Sequence, residues 1–245
     1  MNFDTFISVV NQLTPLLAIV SGLIGVLKFI GVRSRNEKMR EVGADFRNVV
    51  NALASDGQVK KLSAAILIRR FFHVETESGI AGTPYAKEAI GVIAAILRDE
   101  NAKKDMQKIL ADGLGYAPSL KDEDLQQTDL SHAYLANRIR TDITIEGADL
   151  YNADLTGASL EGICAHRTVF YHAQCTGTKF AKADLTNADF REAMLEGARF
   201  DGARLEDAQF DGAKLRGARF RDVTGLSASV EAHLDENRVY SMPPE

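Results

Sequence analysis

The sequence predicts an α+β chain in several parts: an N-terminal transmembrane helix, a small all-α helical unit and a C-terminal repeat array. Three observations carry that reading. An uncharged apolar run lies near the start, an apolar period close to 3.6 fills the middle, and Leu or Phe recurs at every fifth residue over about 121–225. The resulting boundaries are 1–32 (an outward N-terminus and the span), 33–118 (helical unit), 119–225 (repeat) and 226–245 (capping helix and tail). Composition agrees. With 245 residues, 45% hydrophobic and 26% charged, the chain is not disordered. Two Cys exclude a disulfide scaffold, and a mean hydropathy of -0.13 excludes a polytopic membrane protein. A net charge of -5 argues against a generic nucleic-acid binder.

Thr5 to Leu27 holds no charged residue, and its 23 positions exceed the roughly 20 a helix needs to cross a bilayer. Phe29, Ile30 and Val32 extend the apolar character past Lys28, whose long stem can snorkel. The start carries Asp4 and no Lys or Arg, which does not suit a cleaved signal peptide. A buried or interfacial helix is the alternative. Lys28, Arg33, Arg35, Lys38 and Arg40 follow the span, so the positive-inside rule leaves the N-terminus outside and the remaining domains cytoplasmic. A single-pass inner-membrane protein is the expectation, with the bilayer as partner through residues 5–32. Ala18 with Gly22, and Ser21 with Gly25, fall at the small-xxx-small spacing that lets two membrane helices approach, so a homo-oligomer is possible through this face.

In the middle, Met39, Val42, Phe46, Val49, Val50 and Leu53 mark one helical face, ended by Asp56-Gly57. Val59, Leu62, Ala65, Ile66 and Phe72, with Leu67, Ile68 and Phe71, make a second helix apolar nearly all round, the pattern of a central helix. Thr83-Pro84 starts a third, with Ala86, Ala89, Ile90, Ile93, Ala94 and Leu97 as its buried stripe. Asn101 is the expected cap of a fourth, with Met106, Ile109 and Leu110 inward and Gly113 as terminator. Four antiparallel helices with short links resemble a HEAT- or armadillo-like pair in pattern. Arg69, Arg70 and His73 read as a solvated rim.

Between Leu125 and Phe220 there are twenty places at period five, and 17 hold Leu, Ile or Phe; Ala sits two residues earlier in 13 of them. Gly often follows the central residue by two, as at Gly157, Gly197 and Gly217. The units Ala148-Asp149-Leu150-Tyr151-Asn152, Ala153-Asp154-Leu155-Thr156-Gly157 and Ala183-Asp184-Leu185-Thr186-Asn187 resemble the A(D/N)LXX unit of the pentapeptide repeat family. That resemblance implies a right-handed quadrilateral β-helix of about five coils, with Ala inward at tight corners and Leu or Phe filling the axis. A rod of five coils is roughly 24 Å tall at ~4.8 Å per coil. With twenty residues per coil, Phe180, Phe200 and Phe220 stack on one side and Phe170, Phe190 and Phe210 on the opposite side, leaving Leu columns on the other two. These are core ladders, not a cofactor pocket.

Three places depart from the pattern. Arg140 occupies a core centre, so 136–144 is expected to bulge out. Ala165 is small for its place and is flanked by Ile163, and Cys175 is expected to be a buried, inert thiol. Cys164, His166, His172 and Cys175 spell C-x-H…H-x-x-C, residue types that suit Zn. Cys175 would face the core and His172 the solvent, so the four diverge and no metal is expected. Leu226, Val230 and Leu234 suit a short helix closing the repeat; the resemblance allows it either to cap or to dimerise.

Phosphate-binding loops and hydrolase, kinase and zinc-protease motifs are absent, so no catalytic residue and no cofactor are expected. Three functions remain. A non-enzymatic, membrane-anchored scaffold that binds an unknown cytoplasmic protein leads. An oligomeric membrane effector, forming a pore or perturbing the bilayer in bacterial stress or phage defence, is the alternative, motivated by Asn11, Gln12 and Thr14 in the apolar run. Duplex mimicry toward DNA gyrase, known in some members of the family, comes last: 125–225 carries 15 acidic against 12 basic residues, a mixed-sign balance of -3. No side of the repeat shows an aromatic or apolar stripe from which to name a partner.

Overall fold

The computed structural model describes residues 37, 39–72, 85–117, 119–136, 144–226 and 230. The expected span over 5–32, including Ala18, Ser21, Gly22 and Gly25, lies outside these residues. No helix among the described residues is long and apolar enough to cross a membrane. The chain divides into two compact units, 1–47 and 48–245, so the helical unit from residue 48 onward and the repeat form one body.

Residues 39–54 are helical (α1) and stop before Asp56-Gly57, as the periodicity requires, with Leu53 buried. Helix α2 (Gln58–Leu67) continues into a 3-10 turn over Ile68–Phe72. It is not the all-round buried helix that its composition suggests. Ala64, Ala65, Ile68 and Phe72 are buried, but Val59 is 79% exposed, Ile66 44% and Leu67 40%. Ala64, Ile68 and Phe72 fall four apart on the one face that the neighbouring elements cover, which leaves Val59, Ile66 and Leu67 on the outer face. Helix α3 (Tyr85–Leu97) buries Ala89, Ile90, Ile93, Ala94 and Leu97, the stripe read from spacing; Thr83-Pro84 and His73 lie outside the described residues. Helix α4 (Lys104–Leu114) buries Met106, Leu110 and Leu114. Asn101 does not cap it: Lys103 holds the cap position without a side-chain bond, and the Asn101 amide instead donates to Asp99 Oδ1 at 3.0 Å. Gly113 lies within α4, which ends at Gly115.

The repeat is built from isolated parallel bridges rather than long strands. From Thr144 onward every bridge joins residues twenty apart, from Thr144 with Cys164 to Arg204 with Thr224. Four bridging positions per twenty residues make a four-sided coil, whose sides we call north, east, south and west in chain order. The north ladder is Thr144, Cys164, Asp184, Arg204 and Thr224; the east is Asp124, Asp149, Val169, Asp189 and Gln209. The south is Asp129, Asp154, Gln174, Met194 and Lys214; the west is Tyr134, Ser159, Lys179, Arg199 and Arg219.

The first coil is the exception, because its bridges span twenty-five residues (Asp124 with Asp149, Tyr134 with Ser159). The north column therefore starts at Leu120, fully buried and hydrogen-bonded through its amide to the Thr144 carbonyl at 2.9 Å. No ladder position is left for Arg140, which lies outside the described residues. Five coils result, as expected from the count, but with Leu120 gained and the pentad of Arg140 passed over.

Each core centre alternates with a small residue two before it, both buried, and the residue two after it is left-handed. All nineteen of those turn positions that the structure describes have φ between +51° and +73°; eight are Gly and eleven are not, among them Asn152, Asn187 and Asp207. Gly costs nothing there, and Asn and Asp tolerate it through local hydrogen bonding. The Ile163–Ala165 pair exchanges the usual sizes, with the larger side chain at the corner and the smaller at the axis, and both stay buried (2% and 0% exposed). Thr168 and Thr178 replace corner Ala, and their hydroxyls donate to the Ile145 and Leu155 carbonyls at 2.7 Å, so neither is left unpaired.

The two Phe columns form as the arithmetic requires. Phe170, Phe190 and Phe210 stack on the east side at 4.6 and 5.1 Å between centroids; Phe180, Phe200 and Phe220 stack on the west at 5.0 and 4.6 Å. Across the axis the columns meet edge to face at 5.4 to 6.0 Å. Six rings thus satisfy both favoured aromatic geometries at once, each pair worth about 0.5–1.5 kcal/mol beyond burial.

The helices close the lower end of the coil. The Asp129 amide, which has no coil beneath it, donates to the Leu97 carbonyl at the end of α3 at 2.9 Å, and the Tyr134 amide donates to Asp112 Oδ1 on α4 at 2.9 Å. Arg98 clamps the east corner, Nε to the Gln126 carbonyl at 2.8 Å and Nη2 to Asp124 Oδ1 at 2.8 Å. Groups that would form an open sheet edge are therefore paired. The helical unit acts as an N-terminal cap rather than as a free-standing repeat pair. Glu123 pays for that seat: it takes a corner place that elsewhere holds Ala, Thr or Ile. Burial raises its pKa against the opposing pull of Lys87, 3.9 Å away.

Two predictions follow from this packing. Phe190 touches four other rings and Phe220 two, so Phe190→Ala should cost about 3–5 kcal/mol and Phe220→Ala less, read as the difference in thermal midpoints. Equal losses would show that ring contact does not govern the core. A raised carboxyl pKa favours the fold below the ordinary Glu value near 4.3 and penalises it as pH rises through the folded value. Glu123→Gln should therefore raise the midpoint slightly at pH 7 and change nothing near pH 3.

Candidate interaction surface

Side chains one before, one after and two after each core centre project from the rod, and residues twenty apart stack one ladder step above each other. On most of the surface this brings opposite charges together. On the north side Glu146 joins three coils, with Lys121 at 3.0 Å below and Arg167 at 2.6 Å above; those two bonds hold its carboxyl below the usual range. Asp184 pairs with Arg204 at 3.4 Å, and Asp201 with Arg219 at 3.0 Å.

The east side is different. Tyr151 and Tyr171, twenty residues apart, lie with centroids at 5.8 Å, and His172 joins them at 4.2 Å from Tyr171 and 6.0 Å from Tyr151. Arg191, the next step up, places its guanidinium 5.5 Å over the Tyr171 ring. It also grips Asp189 bidentately, Nε to Oδ1 at 2.9 Å and Nη2 to Oδ2 at 2.7 Å. Burial works against the charge on Asp189, but the bonds from the Arg191 side chain and amide outweigh it and hold the carboxyl below its ordinary value. The tyrosines are half-buried and His172 is exposed. Tyr and Arg together, partly desolvated on a rigid base, are the composition of an interaction hot spot. Sequence inspection found no aromatic stripe; the signal was the twenty-residue spacing of Tyr151 and Tyr171, visible only once residues are sorted by side.

The west side carries the opposite sign. Lys179, Arg199 and Arg219 are consecutive rungs of one ladder, at about 4.8 Å per step. Among the described residues no carboxylate lies within ion-pair distance of Lys179 or Arg199. Arg219 is paired with Asp201 at 3.0 Å, which leaves Lys179 against Arg199 as the unrelieved step, a repulsion of up to about 1 kcal/mol in bulk water.

The cysteine and histidine residues do not converge. Cys164 and His166 sit on the north side, His172 on the east, and Cys175 is buried in the south column, where desolvation pushes its thiol up and leaves it unreactive. Among the described residues no group of three or more His, Cys, Asp or Glu is placed to share a metal ion. A pocket of about 290 Å³ opens between the end of α1, the start of α2 and the α3–α4 turn, lined by Leu53, Lys61, Asp99, Lys103 and Met106. Gln58 closes one wall, accepting from Lys103 Nζ at 2.7 Å.

A four-sided coil of pentads, with its chemistry on its flat sides and its axis filled, defines a β-helical rod of the interaction type. The family model for pentapeptide repeats matches in eight copies, over residues 143–171, 168–207 and 183–222, so this part of the chain is a pentapeptide-repeat β-helix. Among solved structures, a pentapeptide repeat protein (Rfr23) from the cyanobacterium Cyanothece is 24% identical, over 41% of this chain and 62% of that one, with a TM-score of 0.35. HetL from Nostoc, involved in heterocyst differentiation regulation, is 26% identical over 41% and 54%, also at 0.35. QnrB1, a plasmid-mediated fluoroquinolone resistance protein, is 16% identical over 51% and 85%, at 0.19. This chain thus spans about three-fifths and about half of the first two. No curated protein matches it.

Replacing Arg191 tests how the patch is held. A lowered Asp189 pKa supplies stability above the ordinary Asp value near 3.9 that is lost as pH falls through the folded value. Arg191→Ala should raise the Asp189 pKa toward its ordinary value, since burial is then opposed by the amide of residue 191 alone. By NMR titration of the carboxyl, an unchanged pKa would refute the clamp. The stability lost at pH 7 should be under about 1 kcal/mol, because Arg191 is half exposed, and should vanish at low pH.

Proposed function

We propose that this protein is a non-enzymatic, membrane-anchored scaffold that presents its pentapeptide-repeat rod to protein partners in the cytoplasm. The observation that carries the reading is the Tyr151–Tyr171–His172–Arg191 patch on a side of the rod whose interior is completely filled. A scaffold needs a rigid base and an exposed anchor cluster, and the stacked coils supply both. Anchoring rests on the uncharged run over Thr5–Leu27 and the basic residues behind it.

The alternative is a membrane effector that assembles through Ala18, Ser21, Gly22 and Gly25 and perturbs the bilayer, supported by Asn11, Gln12 and Thr14. Mimicry of duplex DNA toward gyrase is less supported, because the west ladder is cationic where a phosphate mimic needs dense negative charge. The test is extraction followed by reconstitution. Full-length protein should stay with membranes through an alkaline wash and leave them only with detergent; release by the wash would refute the anchor. Reconstituted into dye-loaded vesicles, it should release no dye. Release would favour the effector over the scaffold.

A further inference from the structure

We propose that one partner of the rod is a second copy of this chain, with the east side of one rod packing laterally on the west side of the next. The proposal names a partner for the scaffold reading and uses the same aromatic patch. Four observations converge on it. The east side is acidic: Asp124, Asp149, Asp189, Glu192 and Asp211 stand against Arg191 on the rod and Arg98 of the cap, which is bonded to Asp124. The opposite, west side carries Lys179, Lys182, Arg199, Arg219 and Arg221 against Glu161, Asp201 and Asp222. Lys179 and Arg199 are stacked with no carboxylate in ion-pair distance among the described residues, unlike Glu146 and Asp184 on the north side, and a carboxylate surface from outside would relieve them. Between those cations the exposed Gly162 and Gly202 carry no side chain and Ala181 only a methyl group. The Tyr151 and Tyr171 rings of a neighbour would meet no bulky side chain there except Lys182, whose stem lies against Gly202.

The geometry adds register and limits strength. Both sides rise by the same ladder step, so a contact made at one coil repeats at the next. Opposite sides of one rod give a contact that does not close on itself, so copies form rows rather than dimers. A side about 24 Å tall and roughly 10 Å wide offers on the order of 240 Å² per partner. That is well below the ~800 Å² of a stable standard interface. Free rods therefore associate weakly, and rods held in one membrane associate through their raised effective concentration.

The experiment uses the full chain in neutral-lipid vesicles with a bifunctional amine cross-linker. It compares a west variant (Arg199→Glu with Arg221→Glu) and an east variant (Tyr171→Ala with Asp211→Arg), which leave every lysine in place. Wild type should give a ladder of dimers, trimers and longer species, thinned by 0.5 M salt. Each variant alone should lose at least tenfold of the cross-linked product. A one-to-one mixture should restore cross-linked product, beginning with dimers, since one unaltered east side can again meet one unaltered west side. An unchanged ladder in either variant, or no restoration on mixing, overturns the proposal. So would an effect confined to the west variant that appears only with anionic lipid, which would assign that side to the membrane surface. Melting curves check folding, and Arg199→Gln with Arg221→Gln replaces the charge reversal if it unfolds. Vesicle-bound protein is counted separately, so a failed anchor shows as loss of binding. The same mixing test at several hundred micromolar in solution then still decides the contact.

Discussion

Each coil must return to its starting side after twenty residues, one ladder step higher. Filling the axis depends on that closure. A corner can turn only where the backbone enters the left-handed region, which happens at all nineteen described turn positions. The chain between corners is then too short for more than one inward side chain of full size, with a small companion two residues before. Where Ile163 takes the companion's place the centre shrinks to Ala165, so the pair conserves volume rather than identity. The Phe columns are a product of the same closure. Period-twenty stacking of alternating Phe and Leu centres puts rings above rings on two sides and lets the columns interlock across the axis.

A stack of this kind leaves unpaired backbone at its ends, and the protein meets the lower one with helices. The contacts that do so are few and specific: the Leu97 carbonyl, the Asp112 carboxylate and the Arg98 guanidinium. Because nearest-neighbour interfaces dominate the stability of a solenoid, a cap that secures the first coil supports all those above it. The cost falls on Glu123, a carboxyl in a corner that elsewhere holds Ala, Thr or Ile. The pentad passed over near Arg140 shows the same priority, since the ladders are back on a twenty-residue step from Thr144 onward.

How much of this can be read from sequence depends on range. Core, corner and turn positions repeat within five residues, so the columns and even their ring stacking follow from counting. The α3 stripe is equally local. The cap is not: Arg98 meets residues 26 and 28 positions away, and no local pattern announces that pairing. Leu120 escaped because the frame preceding it is not an A(D/N)LXX unit, and α2 misled because an all-round apolar composition does not show which face its neighbours cover. The interaction surface is an intermediate case. Its residues were visible, and Arg199, Arg219 and Arg221 stand out as exposed cations. Summed over the whole repeat they vanish into a balance of -3, and only sorting by side separates an acidic, aromatic east from a cationic west.

That separation bears on function more than the net charge does. A rod that needed only to be soluble would gain from alternating signs along every ladder, as Lys121, Glu146 and Arg167 do on the north side. Segregating signs onto opposite sides forgoes those pairs and strains the west ladder. An acidic residue in place of Lys179 or Arg199 would relieve that repulsion, so stability alone does not account for the pair. The arrangement is instead what a lateral surface requires: like charges held rigidly at one spacing, matched to a surface built at the same spacing, with aromatic rings to exclude water between them. The β-helix is suited to this because its sides are flat and its rungs evenly spaced. An ordinary globular surface would have to evolve that register one residue at a time.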